Sequence, residues 1–189
     1  MILTLASTSP YRRQLLKTAG FDVEVISPEV DESALKMKIK DPKTLASELA
    51  QLKARAGQQK TKNKWIIGSD QVAALETQIF DKPLTKENAF KTLMTLQGRT
   101  HTLLTAVYLI TPQGEENWCN ETRLTMRPLS EAQILQYIDE DAPLDCAGAY
   151  KLEKAGIRLF KSIVSSDFTA VQGLPMIELC NRLYASGWA

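Results

Sequence analysis

Near its N-terminus the chain reads Leu5-Ala6-Ser7-Thr8-Ser9-Pro10-Tyr11-Arg12-Arg13-Gln14-Leu15-Leu16. The apolar run from Ile2 to Ala6 predicts a strand, and the residues after Pro10 predict a helix. Pro10 suits the first helical turn, and Ser9 suits the cap before it. Because a strand that leads into a helix N-terminus presents backbone N–H groups and a positive dipole end, this junction predicts an anion site.

The side chains at the junction add to that prediction. Ser7 and Ser9 offer hydroxyls, and Arg12 and Arg13 offer guanidiniums, which together suit a phosphate chain. The alternative is a capped surface helix with solvated arginines. Cations are unfavourable in the first turn of a helix unless an anion is close, and this favours the phosphate interpretation.

The composition excludes several classes of protein. The length of 189 residues, of which 44% are hydrophobic, fits one large domain or two small lobes. The net charge of +1 argues against a nucleic-acid binder. Three separated cysteines form no C-x-x-C pair, so neither a disulfide framework nor a zinc site is indicated. Without a leader or an apolar run of membrane-spanning length, we expect a cytoplasmic protein with no membrane or nucleic-acid partner.

Strand and helix patterns alternate along the chain. They predict an α/β fold with a mixed twisted sheet and flanking helices, in a single domain over 1–189. A hairpin and the helix after it suggest a second lobe around 100–145, with a ligand cleft between two lobes. Strands are predicted at 22–26, 65–69, 72–75, 101–111, 117–126 and 157–164, and helices at 42–57, 85–96, 130–138 and 174–184.

Two carboxylates are candidates for metal binding. Asp70 follows the apolar strand 65–69 directly, where α/β sheets often place functional groups, although an Asp after Gly-Ser also forms turns. Glu32 lies in the polar stretch Glu29-Val30-Asp31-Glu32, whose spacing alone favours a solvated acidic loop. Carboxylates from separate loops could hold Mg²⁺ or Mn²⁺, with waters completing the shell.

The other chemically interesting residues are less distinctive. Lys53 adjoins the apolar face of the 42–57 helix, and Lys82 lies in a loop before a helix, where a lysine suits a phosphate. His101 is the sole histidine, and we expect it to pack or hydrogen-bond rather than to catalyse. The sequence lacks the P-loop, the G-x-G-x-x-G fingerprint and the G-x-S-x-G elbow.

Motifs over nearly the whole chain resemble the Maf family of nucleoside triphosphate pyrophosphatases. They occur in order and include Ala6-Ser7-Thr8-Ser9-Pro10 with Arg12, Glu32, Lys53-Ala54, Gly68-Ser69-Asp70, Lys82-Pro83, Gly98 with His101 and Thr105, Ala147-Gly148-Ala149-Tyr150, and Val171-Gln172-Gly173-Leu174-Pro175. The resemblance implies a Maf/ITPase-like fold and hydrolysis of the α–β bond of a nucleoside triphosphate with a divalent metal.

The resemblance also implies roles for individual residues. Asp70 would be the catalytic carboxylate and, with Glu32, would hold the metal. Phosphate binding would fall to five side chains, Ser7, Ser9, Arg12, Lys53 and Lys82. The small-molecule nucleotide would be the partner, and a homodimer is compatible with the family.

Three positions are similar to the branch of the family that acts on 7-methyl-GTP. Where the family usually has its first arginine after S-x-S-P, this chain has Tyr11, together with Gln71 and Glu153. N7-methylation makes guanine cationic, so the ring would stack on Tyr11, and Glu153 would accept from the N1–H and N2–H₂ edge. Gln71 would read the base edge or hold the catalytic loop.

Two alternatives remain open at this point. The branch that acts on dTTP and UTP typically has Arg, Thr and Gln at the same three positions, so a pyrimidine substrate is one alternative. The other is a nucleotide-binding regulator of cell division that turns over slowly. The favoured hypothesis is an enzyme that keeps modified nucleotides out of nucleic acids by hydrolysing 7-methyl-GTP to 7-methyl-GMP and pyrophosphate.

Overall fold

The structure is a computed structural model, and it describes residues 1–188. Its strands are β1 (Leu3–Ala6), β2 (Val23–Ile26), β3 (Ile66–Leu75), β4 (Gln78–Phe80), β5 (Thr100–Thr111), β6 (Gly114–Met126) and β7 (Phe160–Val164). Its α-helices are α1 (Pro10–Thr18), α2 (Ser33–Lys38), α3 (Pro42–Gln58), α4 (Lys86–Leu96), α5 (Glu131–Asp141) and α6 (Met176–Ala185). Short 3-10 helices cover Ala147–Ala149, Ala155–Leu159 and Phe168–Gln172.

The strands form one mixed sheet, which confirms the predicted α/β class. Its order is β2-β1-β3-β5-β6-β7, with β4 paired to β3 outside that order. Strand β1 runs parallel to both β2 and β3, whereas β4 is antiparallel to β3 and β7 is antiparallel to β6. Parallel strands need crossover connections, and α1 and α3 lie in the two crossovers of this part of the sheet.

The chain divides into two compact units. The first contains 1–71, 105–120 and the C-terminal segment from Asp167, and the second contains 72–104 and 121–166. The predicted second lobe around 100–145 is a different division of the chain, and the single domain stays a prediction.

The core of the first unit forms around β1. Leu3 and Leu5 point to one face of the strand, where they join Leu16 of α1 and Leu179 of α6 in one fully buried cluster. All four residues of β1 are buried, so the strand is covered on both faces, as parallel sheets require. The first strand therefore holds the junction at its C-terminal end against a rigid core.

Several predicted boundaries need correction. The predicted break near Asp70 is absent, because β3 runs unbroken through it. The parallel pairing with β1 ends where Ala6 meets Gly68, so β3 extends beyond its shorter neighbour and Asp70 lies within the strand, not after it. The polar loop predicted around Glu32 continues into α2, and the predicted strand 157–164 begins only at Phe160.

His101 packs as predicted, in the second unit. It is 2% exposed, its Nε2 atom lies 3.0 Å from Oη of Tyr150, and its ring lies 6.0 Å from that of Phe160 between centroids. Among residues 1–188, none provides a hydrogen-bond partner for its Nδ1 atom. Burial therefore favours the neutral ring and lowers the pKa of His101 from 6.5 to about 4.

This lowered pKa predicts a loss of stability in mild acid. Below pH 6.5 the unfolded chain binds a proton at His101, whereas the folded chain binds it only near pH 4. Stability is therefore complete above pH 6.5, and between pH 6.5 and 5 the free energy of unfolding should fall by about 2 kcal/mol. Urea unfolding at pH 7, 6 and 5 measures this loss. His101→Gln should flatten the profile, and an equally steep profile in that variant would contradict the assignment.

Candidate functional site

The junction between β1 and α1 is organised by its two serines. The side chain of Ser9 caps α1, since its Oγ accepts from the Arg12 backbone N–H at 3.4 Å. The Oγ of Ser7 accepts from the Ser9 backbone N–H at 3.2 Å. These two bonds occupy the backbone N–H groups of Ser9 and Arg12, and Pro10 has none. The backbone therefore contributes less to an anion site than the sequence predicted. The hydroxyl protons of both serines are not used in these bonds and can be donated to an anion.

The two adjacent arginines separate, because successive helical residues point about 100° apart. Arg12 is 9% exposed, and Arg13 is exposed. Arg12 donates from Nε to the carbonyl oxygen of Gly173 at 2.9 Å and from Nη1 to Oγ of Ser7 at 3.2 Å. Neither bond uses Nη2. Arg12 is therefore fixed at the junction, and a role for the exposed Arg13 there stays a prediction.

Close packing of α3 on β3 brings Asp70 to Lys53. A Cβ added to Gly68 would lie 2.2 Å from the carbonyl oxygen of Ala50 and 2.5 Å from the backbone nitrogen of Ala54, so only glycine permits this approach. The Nζ of Lys53 lies 2.5 Å from Oδ1 of Asp70, and both side chains are 12% exposed. Lys53 therefore binds a carboxylate instead of extending into water.

Glu32 completes an ionic cluster with the same lysine. Its Oε1 lies 2.7 Å from Nζ of Lys53, and its Oε2 lies 3.3 Å from Nζ of Lys36. Burial opposes the charged form of Glu32, but the hydrogen bonds and charges of Lys53 and Lys36 outweigh it, so the pKa of Glu32 is lowered. The solvated acidic loop that spacing suggested therefore does not describe this carboxylate.

Arg12 belongs to the same cluster electrostatically. Burial lowers the pKa of Arg12, and the negative charges of Asp70 and Glu32 oppose that effect. An arginine remains charged under such conditions. The junction and the β3 carboxylate therefore lie together in the first unit, and the residues brought together are Ser7, Arg12, Glu32, Lys53 and Asp70.

The two residues that flank Asp70 on β3 bind the segment 168–173 on the other face of the strand. Side chains alternate along a strand, so Ser69 and Gln71 point away from α3. The Oγ of Ser69 donates to the Gly173 carbonyl at 3.0 Å, and the Nε2 of Gln71 donates to the Ala170 carbonyl at 2.9 Å. Thr105 donates to that same carbonyl at 3.0 Å. Gln71 thus holds the 168–172 turn, and its predicted role at the base edge or the catalytic loop stays a prediction.

The importance of Ser69 and of the Gly173 carbonyl was missed from the sequence. Both residues lie in motifs of the family resemblance, and the glycine before Leu174-Pro175 marks a turn, but neither signal says what the Gly173 carbonyl binds. Gly173 has φ of +107°, a conformation that favours glycine, and its carbonyl accepts from both Arg12 and Ser69.

The remaining candidates lie in different parts of the chain. Tyr11 is half-buried on the first turn of α1, in the first unit. Lys82 and Glu153 are exposed residues of the second unit, in the loop after β4 and in the loop after Ala147–Ala149.

The ionic cluster combines two chemical capacities. Arg12 and Lys53 supply positive charge for a polyanion, and Asp70 and Glu32 supply oxygen ligands that converge on one cation, here the Lys53 ammonium. No group of three or more His, Cys, Asp or Glu side chains suited to a metal occurs within residues 1–188. A divalent ion at this place would therefore depend on water and ligand oxygens besides the two carboxylates.

Gly173→Ala is expected to weaken anion binding by displacing Arg12. The added Cβ would lie 3.1 Å from Nε and 3.2 Å from Cγ of Arg12, at a φ that strains any alanine. The affinity for inorganic pyrophosphate, measured by calorimetry, should fall about tenfold, the usual cost of a charge-assisted hydrogen bond.

Gly20→Ala is the matched control for this variant. Gly20 has φ of +84°, and no atom lies within 4 Å of the position of an added Cβ, so it carries the backbone strain without the clash. It should lose stability but keep its pyrophosphate affinity. Equal affinities of the two variants would argue against the role of the Gly173 carbonyl.

Comparison with known proteins places the chain in context. A family described as Maf-like protein matches residues 2–186. A protein named 7-methyl-GTP pyrophosphatase from Bdellovibrio bacteriovorus is 44% identical over 94% of this chain and 93% of its own length. A protein of the same name from Xanthomonas oryzae pv. oryzae is 44% identical over 98% of this chain and 97% of its own.

A further relative and a solved structure are also similar. The 7-methyl-GTP pyrophosphatase of Saccharophagus degradans is 39% identical over 96% of this chain and 92% of its own length. The structure of the Staphylococcus aureus Ham1 protein aligns with a TM-score of 0.42 at 16% identity, covering 67% of this chain and 72% of that one. Among residues 1–188, no helix combines the length and the apolar character needed to cross a bilayer.

Proposed function

The chain belongs to the Maf-like protein family, and on that premise we propose that it hydrolyses 7-methyl-GTP to 7-methyl-GMP and pyrophosphate. The observation that carries this proposal is the cluster in which Arg12, Lys53, Glu32 and Asp70 meet in the first unit. The cluster combines cations that can bind a triphosphate with a carboxylate that can activate a water molecule. Hydrolysis of a phosphoanhydride requires both.

Phosphate binding is assigned to the basic side chains and the junction. Arg12 is held by Gly173 and Ser7 in one orientation, so little entropy is lost when its Nη2 binds a phosphate oxygen. Lys53 would exchange its carboxylate partners for the phosphates, and the hydroxyls of Ser7 and Ser9 would donate further bonds. A role for Lys82 in phosphate binding stays a prediction from the family resemblance.

Asp70 is the proposed base of the reaction. It would accept a proton from a water molecule whose oxygen then bonds to the α-phosphorus. The bond from the α-phosphorus to the bridging oxygen breaks, and pyrophosphate leaves with that oxygen and its electron pair. Arg12 and Lys53 would stabilise the negative charge that develops on the leaving group.

A divalent cation, Mg²⁺ or Mn²⁺, is part of the proposal. Asp70 and Glu32 would hold it, since their oxygens already lie 2.5 and 2.7 Å from a single ammonium nitrogen. Two carboxylates with water and phosphate oxygens are a usual environment for Mg²⁺. When bound, such an ion supplies charge that neutralises the triphosphate.

Recognition of the methylated base is assigned to two residues. Tyr11 would stack on the cationic ring, a contact of about 0.5–2 kcal/mol. Glu153 would accept from the N1–H and N2–H₂ edge, and a pyrimidine offers no such donor pair. Gln71 supports the site by holding the 168–172 turn.

A cytoplasmic location belongs to the same proposal. Nucleoside triphosphates are the proposed substrates, and the three cysteines are free thiols, as is usual in a reducing compartment. The proposed partner is the nucleotide, and we expect no nucleic-acid or membrane partner. A homodimer stays a prediction.

A panel of nucleotides tests the proposal. The protein is incubated with 7-methyl-GTP, GTP, UTP and dTTP in the presence of Mg²⁺ or Mn²⁺, and the products are separated by chromatography. We expect pyrophosphate and the monophosphate, with 7-methyl-GTP giving the highest kcat/KM. Release of single phosphate, or a higher kcat/KM for UTP or dTTP, would contradict it. Tight binding of nucleotide without turnover would favour the regulator instead.

A further inference from the structure

The loop that carries Glu153 is anchored at both ends and exposed in the middle. Lys151 and Gly156 are buried, whereas Glu153 and Lys154 are exposed. The loop lies entirely in the second unit, between the short helices Ala147–Ala149 and Ala155–Leu159. An exposed carboxylate on such a loop has a defined position only if the anchors hold it.

Lys151 forms the first anchor. It is only 8% exposed, and lysines are almost never buried unless their charge is paired. Its Nζ lies 3.2 Å from the carbonyl oxygen of Ala142, 3.4 Å from that of Asp141 and 3.0 Å from Oδ1 of Asp145. Its backbone N–H donates to Oη of Tyr137 at 2.9 Å. The ammonium therefore binds carbonyls at the C-terminal end of α5, where a positive charge is favoured.

The second anchor reaches the same place. The backbone N–H of Gly156 donates to Oδ2 of Asp141 at 3.1 Å, and that aspartate is buried. Inside the loop, the Lys154 N–H donates to the carbonyl of Lys151 at 3.2 Å. Both ends of the loop are thus held by the C-terminal end of α5, and Glu153 lies between these two anchors.

The Glu153 carboxylate acts electrostatically on two residues near the end of α5. Burial, and then the negative charge of Asp145, raise the pKa of Cys146 to about 12, and Glu153 adds to that rise. Glu153 also contributes to the raised pKa of Tyr137, after burial and Asp141. The Glu153 charge therefore lies near the same α5 end that Lys151 occupies.

We propose that Lys151 is a positioning residue for base selectivity, which anchors the loop to the end of α5 and so sets the position of the Glu153 carboxylate. This inference rests on the proposed function, because it assumes that Glu153 reads the base. Lys151 itself does not touch the substrate in this proposal. Its loss lets the loop move, and a carboxylate that moves by an ångström makes weaker hydrogen bonds to a fixed base edge.

The test compares Lys151→Met with Lys154→Met. Both substitutions remove a lysine from the same loop, but only Lys151 makes the contacts with α5. We expect Lys151→Met to lower the ratio of kcat/KM for 7-methyl-GTP to that for UTP by about tenfold, mainly through KM. Lys154→Met should keep the ratio of the unaltered protein. Equal ratios in the two variants would overturn the proposal.

A double-mutant cycle shows whether Lys151 acts through Glu153. In a Glu153→Gln background, Lys151→Met should cause no further change in the ratio, because the carboxylate that it positions is absent. An additive loss would mean that Lys151 acts on the site by another route, and it would overturn the proposal.

Asp145→Asn keeps the proposal testable if Lys151→Met does not fold. It removes one charged partner of Lys151, and the aspartate side chain is 54% exposed, so the fold should persist. The expected change in the ratio has the same direction and is smaller, and an unchanged ratio with an unchanged melting temperature would contradict the anchor. Failure of the premise is seen separately, since Glu153→Gln alone would then leave the ratio unaltered.

Discussion

Asp70→Asn is expected to lower the rate of pyrophosphate release from 7-methyl-GTP by about a thousandfold, within the range for loss of a general base. The amide has nearly the same shape as the carboxylate, and its oxygen can still accept from Lys53. It cannot take up the proton of the attacking water, and it is a poorer ligand for a divalent cation. The loss should therefore be in kcat, with the melting temperature little changed.

Asp22→Asn is the control for this prediction. Asp22 is an exposed residue of the same unit, and the substitution changes net charge by the same amount. Pyrophosphate release is measured with saturating nucleotide and Mg²⁺ for both variants. A rate for Asp70→Asn within about threefold of the control would be too small a change for a general base and would remove Asp70 from that role.

Tyr11→Arg combined with Glu153→Gln is expected to shift the preference from 7-methyl-GTP towards UTP. The arginine would repel the cationic ring that the tyrosine attracts, and the glutamine has no charge to offset that cation. Losing a cation–π contact and a charge-assisted hydrogen bond should lower the ratio of kcat/KM for 7-methyl-GTP to that for UTP by about a hundredfold. The ratio is measured in competition, with both nucleotides present.

Two further variants test the cause of this shift. Tyr11→Phe keeps the aromatic face and should keep the ratio. Tyr184→Arg introduces the same charge at an exposed tyrosine of α6 and should also leave it unchanged. If the double variant ranks the nucleotides as the unaltered protein does, these two residues do not select the base.

Much of the fold could be predicted because its signals are local. Ser9 caps α1 with Pro10 in its first turn, as predicted, and Ser130 forms a capping box with Gln133 at the start of the predicted helix 130–138. These features depend on residues within one helical turn of each other, so the sequence contains all of their causes. The alternation of apolar strands and amphipathic helices likewise predicted a mixed α/β sheet, which the structure has.

Helix α2 shows why some elements were missed. Its six residues have no side-chain hydrogen bond at the N-cap and no buried side chain, so neither capping nor periodicity marked them as a helix. The helix packs on α3, and its cap residue Glu32 is held by Lys53. Contacts with residues distant in sequence stabilise it, and these leave no local pattern.

Local chemistry was therefore sufficient for the junction, the main strands and helices, and the types of residue that a phosphate site needs. It could not separate Arg12 from Arg13, since both follow Pro10 and only the packing of α1 turns one towards Gly173 and the other towards water. The meeting of Lys53 with Asp70 and Glu32 depends on how closely α3 approaches β3. Such distances join residues far apart along the chain, and folding in three dimensions sets them.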